Sequence, residues 1–453
     1  MSLTHWWKAR LCLFLMIDLR DQKLCMKDNQ QLRIAHISPT YGGIAIAVAR
    51  LHQGLLKIGV DSQVFRTHES ETDNHLPQVA ALPSSTRLLH YGDVLTKLIN
   101  RRFGLRGMIH LSSLFYSFQD FDVIHLHGMD SNRFNLHALR RLSKSHTLVW
   151  TMHDKHLGTG TCGYPEPWGN CERWLTGCGK CPIANSNGWL VDFTNFVHKR
   201  KQNILDSVQM AIISPSRWMF DFTSLSPITR NKTLKLIPNC VSTDSFIPSP
   251  AAECRRELQL PTNSRLILAV ASKLEQPRKG LQYFQSLLKN LKSHSDQEMG
   301  LVLVGSQPPE SMMAELRAIL PVYFLGSIND ESKLAKVYSA ADLFVITSTI
   351  DNFPSVVLES LACGTPVAGF RVGGIPDMVL PGQTGVLAEL GDVEGLASEI
   401  SDMFREPERL AQMKALCRER AVENYSLEVQ ANRHVELYRY LISERRKAMA
   451  THN

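Results

Sequence analysis

Short, continuous apolar runs alternate along this chain with longer segments whose apolar residues recur at three- and four-residue spacing. That is the pattern of buried parallel strands separated by helices. In the first half, Ile34 to Ser38 predicts a strand, Gly42-Gly43 a turn, and Ile44 to Ile58 a helix that stops at Gly59. Further strands are expected at Val60–Phe65, Phe121–His127, Thr147–His153, Ala211–Ser214 and Leu236–Pro238. The three prolines between Ile247 and Pro261 mark a linker. Beyond it the alternation resumes, with strands at Leu266–Ala271, Leu301–Gly305, Tyr323–Leu325, Leu343–Ile346 and Pro366–Phe370. A short helix is expected from Ser355, read as its cap, to Cys363, with Gly364 past its end and Pro366 preventing continuation. After Asp392 come two helices and then a longer one from Ser426 to about Lys447, with Val435, Tyr438, Leu441 and Ile442 on one face. Two successive sets of strand and helix predict an α/β protein with two doubly wound domains. The expected divisions are a leader at 1–32, domains at 33–246 and 247–425, and a terminal helical segment at 426–453.

Composition narrows the functional classes. At 453 residues, 44% hydrophobic and 21% charged, the chain can build two substantial cores and is neither fibrous nor disordered. Fifty basic against 43 acidic residues give a net charge of +7, which suits contact with phosphates or acidic lipid and does not indicate nucleic acid. No apolar run reaches the roughly 18 residues that a spanning helix needs. Near the N-terminus, Leu11 to Ile17 is broken off by Asp18 without a small-residue cleavage site, so the start reads as a leader or an upstream start and not as an export signal. Thr86 to Phe118 interleaves leucines with Arg87, Lys97, Arg101, Arg102 and Arg106, the pattern either of a membrane-surface face or of a core-packed helix with a solvated basic side.

Candidate chemistry concentrates in the second half. A strand, loop and helix in that order across Asp342–Pro376 place free helix N–H groups at the carboxyl end of a sheet, where an anion such as phosphate binds well. Asp351 in the loop and Glu359 one turn into the helix frame that cradle. Beside a phosphate such acids serve best as acceptors for sugar hydroxyls, which points to a nucleotide sugar. Lys273 and Lys279, at the end of another strand, suit neutralisation of a diphosphate. In the first half His127 and His153 each close a strand, where open α/β sheets bind ligands. Cys162, Cys171, Cys178 and Cys181, the last pair spaced C-x-x-C, suit either tetrahedral zinc ligation or reduced thiols packed in a loop.

These motifs resemble the donor site of GT-B glycosyltransferases of family four: Asp351 and Glu359 eight positions apart, Phe353-Pro354, Ala362-Cys363-Gly364-Thr365-Pro366 and Gly373-Gly374-Ile375-Pro376. The block from His153-Asp154 through the cysteines to Pro182 looks like the colanic-acid type of exopolysaccharide transferase. Three positions depart from the family pattern. Asp351 stands where glutamate is usual, Lys273 where arginine is usual, and Cys240 where glycine is common. The resemblance, over about 33–445, implies two Rossmann-like domains facing across a cleft, with the last helix packed back on the first domain. It implies a retaining hexosyltransferase whose donor is a nucleoside-diphosphate sugar, with no catalytic metal and with a zinc, if present, purely structural. His153, Lys273, Lys279, Asp351 and Glu359 would be catalytic. Gly42, Gly43, Phe353, Pro354, Ser355 and Val356 would bind the donor, and Asp154 stands beside His153. The implied acceptor is a lipid-linked oligosaccharide, reached at the inner face of the plasma membrane by a cytoplasmic, peripherally docked enzyme. Rival readings are a nucleotide-sugar epimerase of the same architecture, which would need acid/base pairs at the sugar, and a non-catalytic zinc-stabilised binding protein.

Overall fold

Seven parallel strands form the first sheet: β1 (Arg33–Ser38), β2 (Asp61–Arg66), β3 (Val79–Ala81), β4 (Val123–His127), β5 (Thr147–Thr151), β6 (Ala211–Ser214) and β7 (Thr233–Leu236). Their order is β3-β2-β1-β4-β5-β6-β7. Ile34, Ala35, Ile37, Val123, Ile124 and Leu126 are fully buried, because helices cover both faces of an all-parallel sheet. The second sheet has six parallel strands: β8 (Arg265–Ala271), β9 (Met299–Gly305), β10 (Val322–Phe324), β11 (Leu343–Ile346), β12 (Val367–Phe370) and β13 (Gly385–Ala388). Their order is β10-β9-β8-β11-β12-β13. In both halves the strand order reverses beside the first strand, the point at which doubly wound sheets open a crevice for ligands. Arg33–Asn453 forms one compact unit.

The coordinates are a computed structural model describing residues 31–39, 42–66, 79–81, 99, 118–128, 135–164, 171–186, 189–271, 276–294 and 297–451. The leader up to residue 30, Lys273, and the basic segment Arg87–Arg106 apart from Ile99 lie outside the described residues.

Several expected boundaries are corrected. The last strand of the first half runs from Thr233 to Leu236 instead of from Leu236 to Pro238. The N–H of Ile237 still pairs with Ser214 (3.1 Å), but Pro238 has no N–H with which to continue. The expected linker contains a helix, Ala251–Glu257, that begins directly after Pro250. Its buried Arg255 ties it to the second half through the Ala340 carbonyl and Asp342, each 2.8 Å away. Pro354, not Ser355, occupies the cap position of the helix Ser355–Ala362. The helix expected from Ile44 already begins at Gly42. Two short strands, β3 and β13, are added to those expected.

The terminal helix, Leu427–Ala450, lies along the helix Gly42–Lys57 of the first half. A Cβ at Gly54 would come within 2.7 Å of the Leu427 carbonyl, so the two backbones meet at a glycine. Tyr438, fully buried, reaches Nδ1 of His125 at 2.7 Å.

Candidate functional site

A cleft of about 600 Å³ opens between the two sheets. The first half contributes one face of the helix Gly42–Lys57, and the second half contributes the end of β9 and the segments after β8, β10 and β11. Gly42 adopts φ +71°, and a Cβ on Gly42 or Gly43 would meet no protein atom within 4 Å. The space beside these glycines belongs to the cleft.

Opposite them, Arg278 and Lys279 project from a one-turn 3-10 helix, Pro277–Lys279. This turn is pressed against the end of β11: Gly280 has φ +66°, and a Cβ there would stand 2.0 Å from the Thr347 carbonyl oxygen. Such tight seating brings Lys279 Nζ to 2.9 Å from Asp351 Oδ2, with Arg278 Nη1 3.4 Å from the same oxygen. The loop carrying Asp351 is itself buttressed from behind. A Cβ at Gly373 would lie 1.9 Å from the Asp351 carbonyl oxygen, and one at Gly374 would lie 1.8 Å from that of Asn352. The glycine pair of the sequence motif is thus required by backbone approach.

Along the helix Ser355–Ala362, Val357, Leu358 and Leu361 face the core, and Glu359 is turned toward the first half. Its side chain is 5% exposed, and both carboxylate oxygens are engaged: Oε1 with Arg50 Nη2 at 2.9 Å, and Oε2 with the Tyr338 hydroxyl at 3.0 Å. Arg50 Nη2 also reaches Glu331 at 3.0 Å, and the guanidinium lies over the Phe246 ring, 5.1 Å from its centre. Burial opposes the charge on Arg50, but Glu359 and Glu331 outweigh it and raise its pKa. Burial first, then Glu359, hold the Tyr338 hydroxyl well above its usual value, so it remains a donor.

Pro354, Ser355 and Val356 line the cleft, whereas the Phe353 side chain turns into the core and packs edge-on against Tyr425. Asn352 secures the same loop to the first half. Its Nδ2 donates to the carbonyls of Met152 (2.9 Å) and His153 (3.1 Å), and its Oδ1 accepts from Ser216 (2.7 Å).

His153 lines a small separate cavity with His127, Asn239 and His434 instead of the main cleft. It ends a buried histidine chain: Nδ1 of His36 is 3.0 Å from Nε2 of His127, whose Nδ1 is 3.3 Å from Nε2 of His153. Burial pushes the His153 pKa down to about 4 against the pull of Asp154, and drives His36, His125 and His127 well below the usual histidine value. Burial works against the charge of Asp154 as well, yet its pairing with His156 holds it down to about 2. The four cysteines lie on the loop after β5, around a cavity of their own away from the cleft.

The structure therefore brings Lys279, Asp351, Glu359, the glycine pair and Pro354–Val356 to one cleft, and sets His153, the Phe353 side chain and the cysteines apart from it. Arg50, Arg278, Glu331, Tyr338 and Asn352 are site residues that the sequence reading passes over. Arg50 left one trace, a charge between the buried positions Ala49 and Leu51.

Residues 251–420 match the family model described as Glycosyl transferases group 1. An N-acetyl-alpha-D-glucosaminyl L-malate synthase of Bacillus anthracis is 25% identical over 46% of this chain and 54% of its own length. A GDP-mannose-dependent alpha-(1-6)-phosphatidylinositol monomannoside mannosyltransferase of Mycolicibacterium smegmatis is 30% identical over 48% and 57%. The chain thus spans little more than half the length of these relatives. Among solved structures, a sucrose-phosphate synthase of Thermosynechococcus elongatus superposes with a TM-score of 0.65, at 21% identity over 91% of this chain and all of that one. The HepE protein of Anabaena in complex with UDP-glucose gives 0.59, at 16% identity over 90% and 99%. At these identities the likeness concerns the fold, which is the two-domain α/β GT-B arrangement.

Proposed function

We propose that the chain is a retaining glycosyltransferase that moves a hexose from a nucleoside-diphosphate sugar to a growing, lipid-linked oligosaccharide of a surface polysaccharide. One observation carries the reading: cationic, acidic and glycine-lined elements from the two halves converge on a single cleft of about 600 Å³. The match of residues 251–420 to the group 1 family and the transferase names of the relatives agree with it. The UDP-glucose bound to the HepE protein is a donor of the expected class on the same fold.

In this reading the donor diphosphate lies between the glycine pair and the helix start at Ser355, with Lys279, Arg278 and Lys273 supplying positive charge. Lys279 is shared with Asp351 at 2.9 Å, so the ion pair holds the ammonium in place for the leaving diphosphate. Charge on that group grows as the sugar–phosphate bond breaks, so the cations act chiefly on the transition state. The bond from the anomeric carbon to the phosphate oxygen breaks, the bond to the acceptor hydroxyl oxygen forms on the same face, and the acceptor proton passes to the departing phosphate. That route needs no separate general base. Glu359 and Asp351 would accept hydrogen bonds from donor hydroxyls, with Glu359 exchanging part of its contact with Arg50. The acceptor would dock at the inner membrane face through the basic segment Arg87–Arg106. No helix of the described residues is long and apolar enough to cross a membrane.

The test is a panel of nucleoside-diphosphate hexoses incubated with the purified chain, measuring release of nucleoside diphosphate. One donor should turn over, and Glu359→Ala should abolish that turnover together with donor binding measured by calorimetry. Full activity in Glu359→Ala, or no donor bound by the unmodified protein, would overturn the proposal.

A further inference from the structure

The loop that follows His153 carries four cysteines whose roles the cleft does not absorb. Cys162, Cys171, Cys178 and Cys181 are all free and half-buried, and all four line one cavity of about 10 Å³. That is too small for a substrate and close to the space of a single water or ion. The sulfurs are surrounded by donors. Cys178 Sγ accepts from the Gly160 N–H at 3.2 Å, Cys181 from the N–H groups of Ile183 and Ala184, and Cys171 from Arg173 Nη1 at 3.7 Å. Lys201 adds positive charge near Cys178. Four sulfurs that converge on one small cavity, with N–H donors around them, are the ligand set of a thiolate-bound metal ion.

The backbone adds an independent sign. Gly177, Cys178, Gly179 and Lys180 all have positive φ, at 113°, 58°, 96° and 47°. Only three non-glycine residues among those described do so, and Cys178 and Lys180 are two of them. A left-handed run of this kind costs about 1 kcal/mol or more at each non-glycine position and persists only where something else imposes it. Its effect here is to fold the C-x-x-C segment back so that Cys178 and Cys181 reach the same cavity as Cys162 and Cys171.

We propose that these four cysteines form a tetrathiolate site for one zinc ion, which fixes the loop between β5 and the helix Thr194–Asp206. Tetrahedral sulfur ligation selects zinc over harder cations, and a closed site with four protein ligands is structural. The four sulfurs ring the cavity more widely than a bound ion holds its ligands, so binding contracts the ring. Among the described residues, only His36, His125 and His127 place three ligand atoms within 4.8 Å of one another. Most of that trio's ring nitrogens are engaged: His125 bonds Tyr438 and Thr151, both at 2.7 Å, and His127 is shared between His36 and His153, so that His36 Nε2 alone lacks a partner. It is also fully enclosed, whereas the four cysteines are only half-buried. The zinc leaves the donor chemistry untouched and acts on the segment that begins at His153 and Asp154.

The test is elemental analysis of the full chain purified under reducing conditions without chelator, beside Cys178→Ser/Cys181→Ser. The expected result is about one zinc per chain, falling at least tenfold in the double variant. If that variant aggregates, stepwise mercurial titration of the unmodified protein replaces it, with a chromogenic chelator reporting release. One zinc should then appear as four thiols are modified. Metal below a tenth of an equivalent with all four thiols reactive in the native protein, zinc retained after the serine substitutions, or iron with inorganic sulfide would each overturn the assignment.

Discussion

The pair Arg50–Glu359 gives the sharpest test of how the two halves are held. Both side chains are about 5% exposed and 2.9 Å apart, so removing one strands the other's charge in a low-dielectric site. Breaking a buried pair in this way costs about 3–5 kcal/mol. Arg50 keeps a second partner in Glu331, but that carboxylate is 36% exposed and recovers only about 1 kcal/mol through solvent screening. Glu359→Leu should therefore cost about 3 kcal/mol. Arg50→Met, which leaves Glu359 with only the Tyr338 hydroxyl, should cost somewhat more. The double variant strands no buried charge and leaves mainly the Tyr338 hydroxyl unpaired, a penalty of about 1–3 kcal/mol. The coupling between the two positions is then about 4–6 kcal/mol. Native-state hydrogen exchange in the helices Gly42–Lys57 and Ser355–Ala362 reads these opening energies directly. Each single variant should lose roughly a hundredfold or more of protection there, at about 1.4 kcal/mol per factor of ten. The double variant should lose no more than either single one. Additive losses, within about 0.5 kcal/mol, would show that the charges do not act as a pair.

Four further outcomes are expected. Lys279→Ala should lower turnover far more than donor affinity, by about 2–4 kcal/mol in the barrier; equal loss in both, or none, would remove it from the leaving-group role. Asn352→Ala deletes donors to two main-chain carbonyls and an acceptor for Ser216, and should lower the melting temperature by several degrees; an unchanged melt would show the loop is held elsewhere. Burial lowers the folded pKa values of His36, His125, His127, His153 and His434 below the unfolded value of 6.5, so the unfolded chain binds more protons and stability falls as pH drops below 6.5. For His153 and His434 that loss is complete near pH 4, and thermal melts at pH 7 and pH 5 should differ clearly, with the difference reduced in His434→Gln. Finally, sedimentation with anionic vesicles should be salt-sensitive and should drop when Lys97, Arg101, Arg102 and Arg106 become serine, at roughly 1 kcal/mol per basic residue; equal, negligible binding by both would favour an acceptor in solution.

The sequence by itself determined the class of fold. Buried parallel strands must be continuously apolar, so runs such as Leu343–Ile346 announce themselves, and the observed strand has those bounds. The Asp351–Glu359 spacing was equally legible, because its requirement is local, a loop followed by a single helical turn. What the sequence could not carry were pairings between residues far apart in the chain. Arg50 and Glu359 are 309 positions apart, and Asn352 meets His153 across 199, so no periodicity links them. For the same reason Lys279 could be read as a phosphate ligand but not as the partner of Asp351, and Phe353 as part of a motif but not as a core residue. His153 shows the limit most plainly. The end of a strand could be recognised from its residues, yet whether that histidine faces the cleft or closes a buried chain with His127 and His36 was decided only by how the helices pack over the sheet.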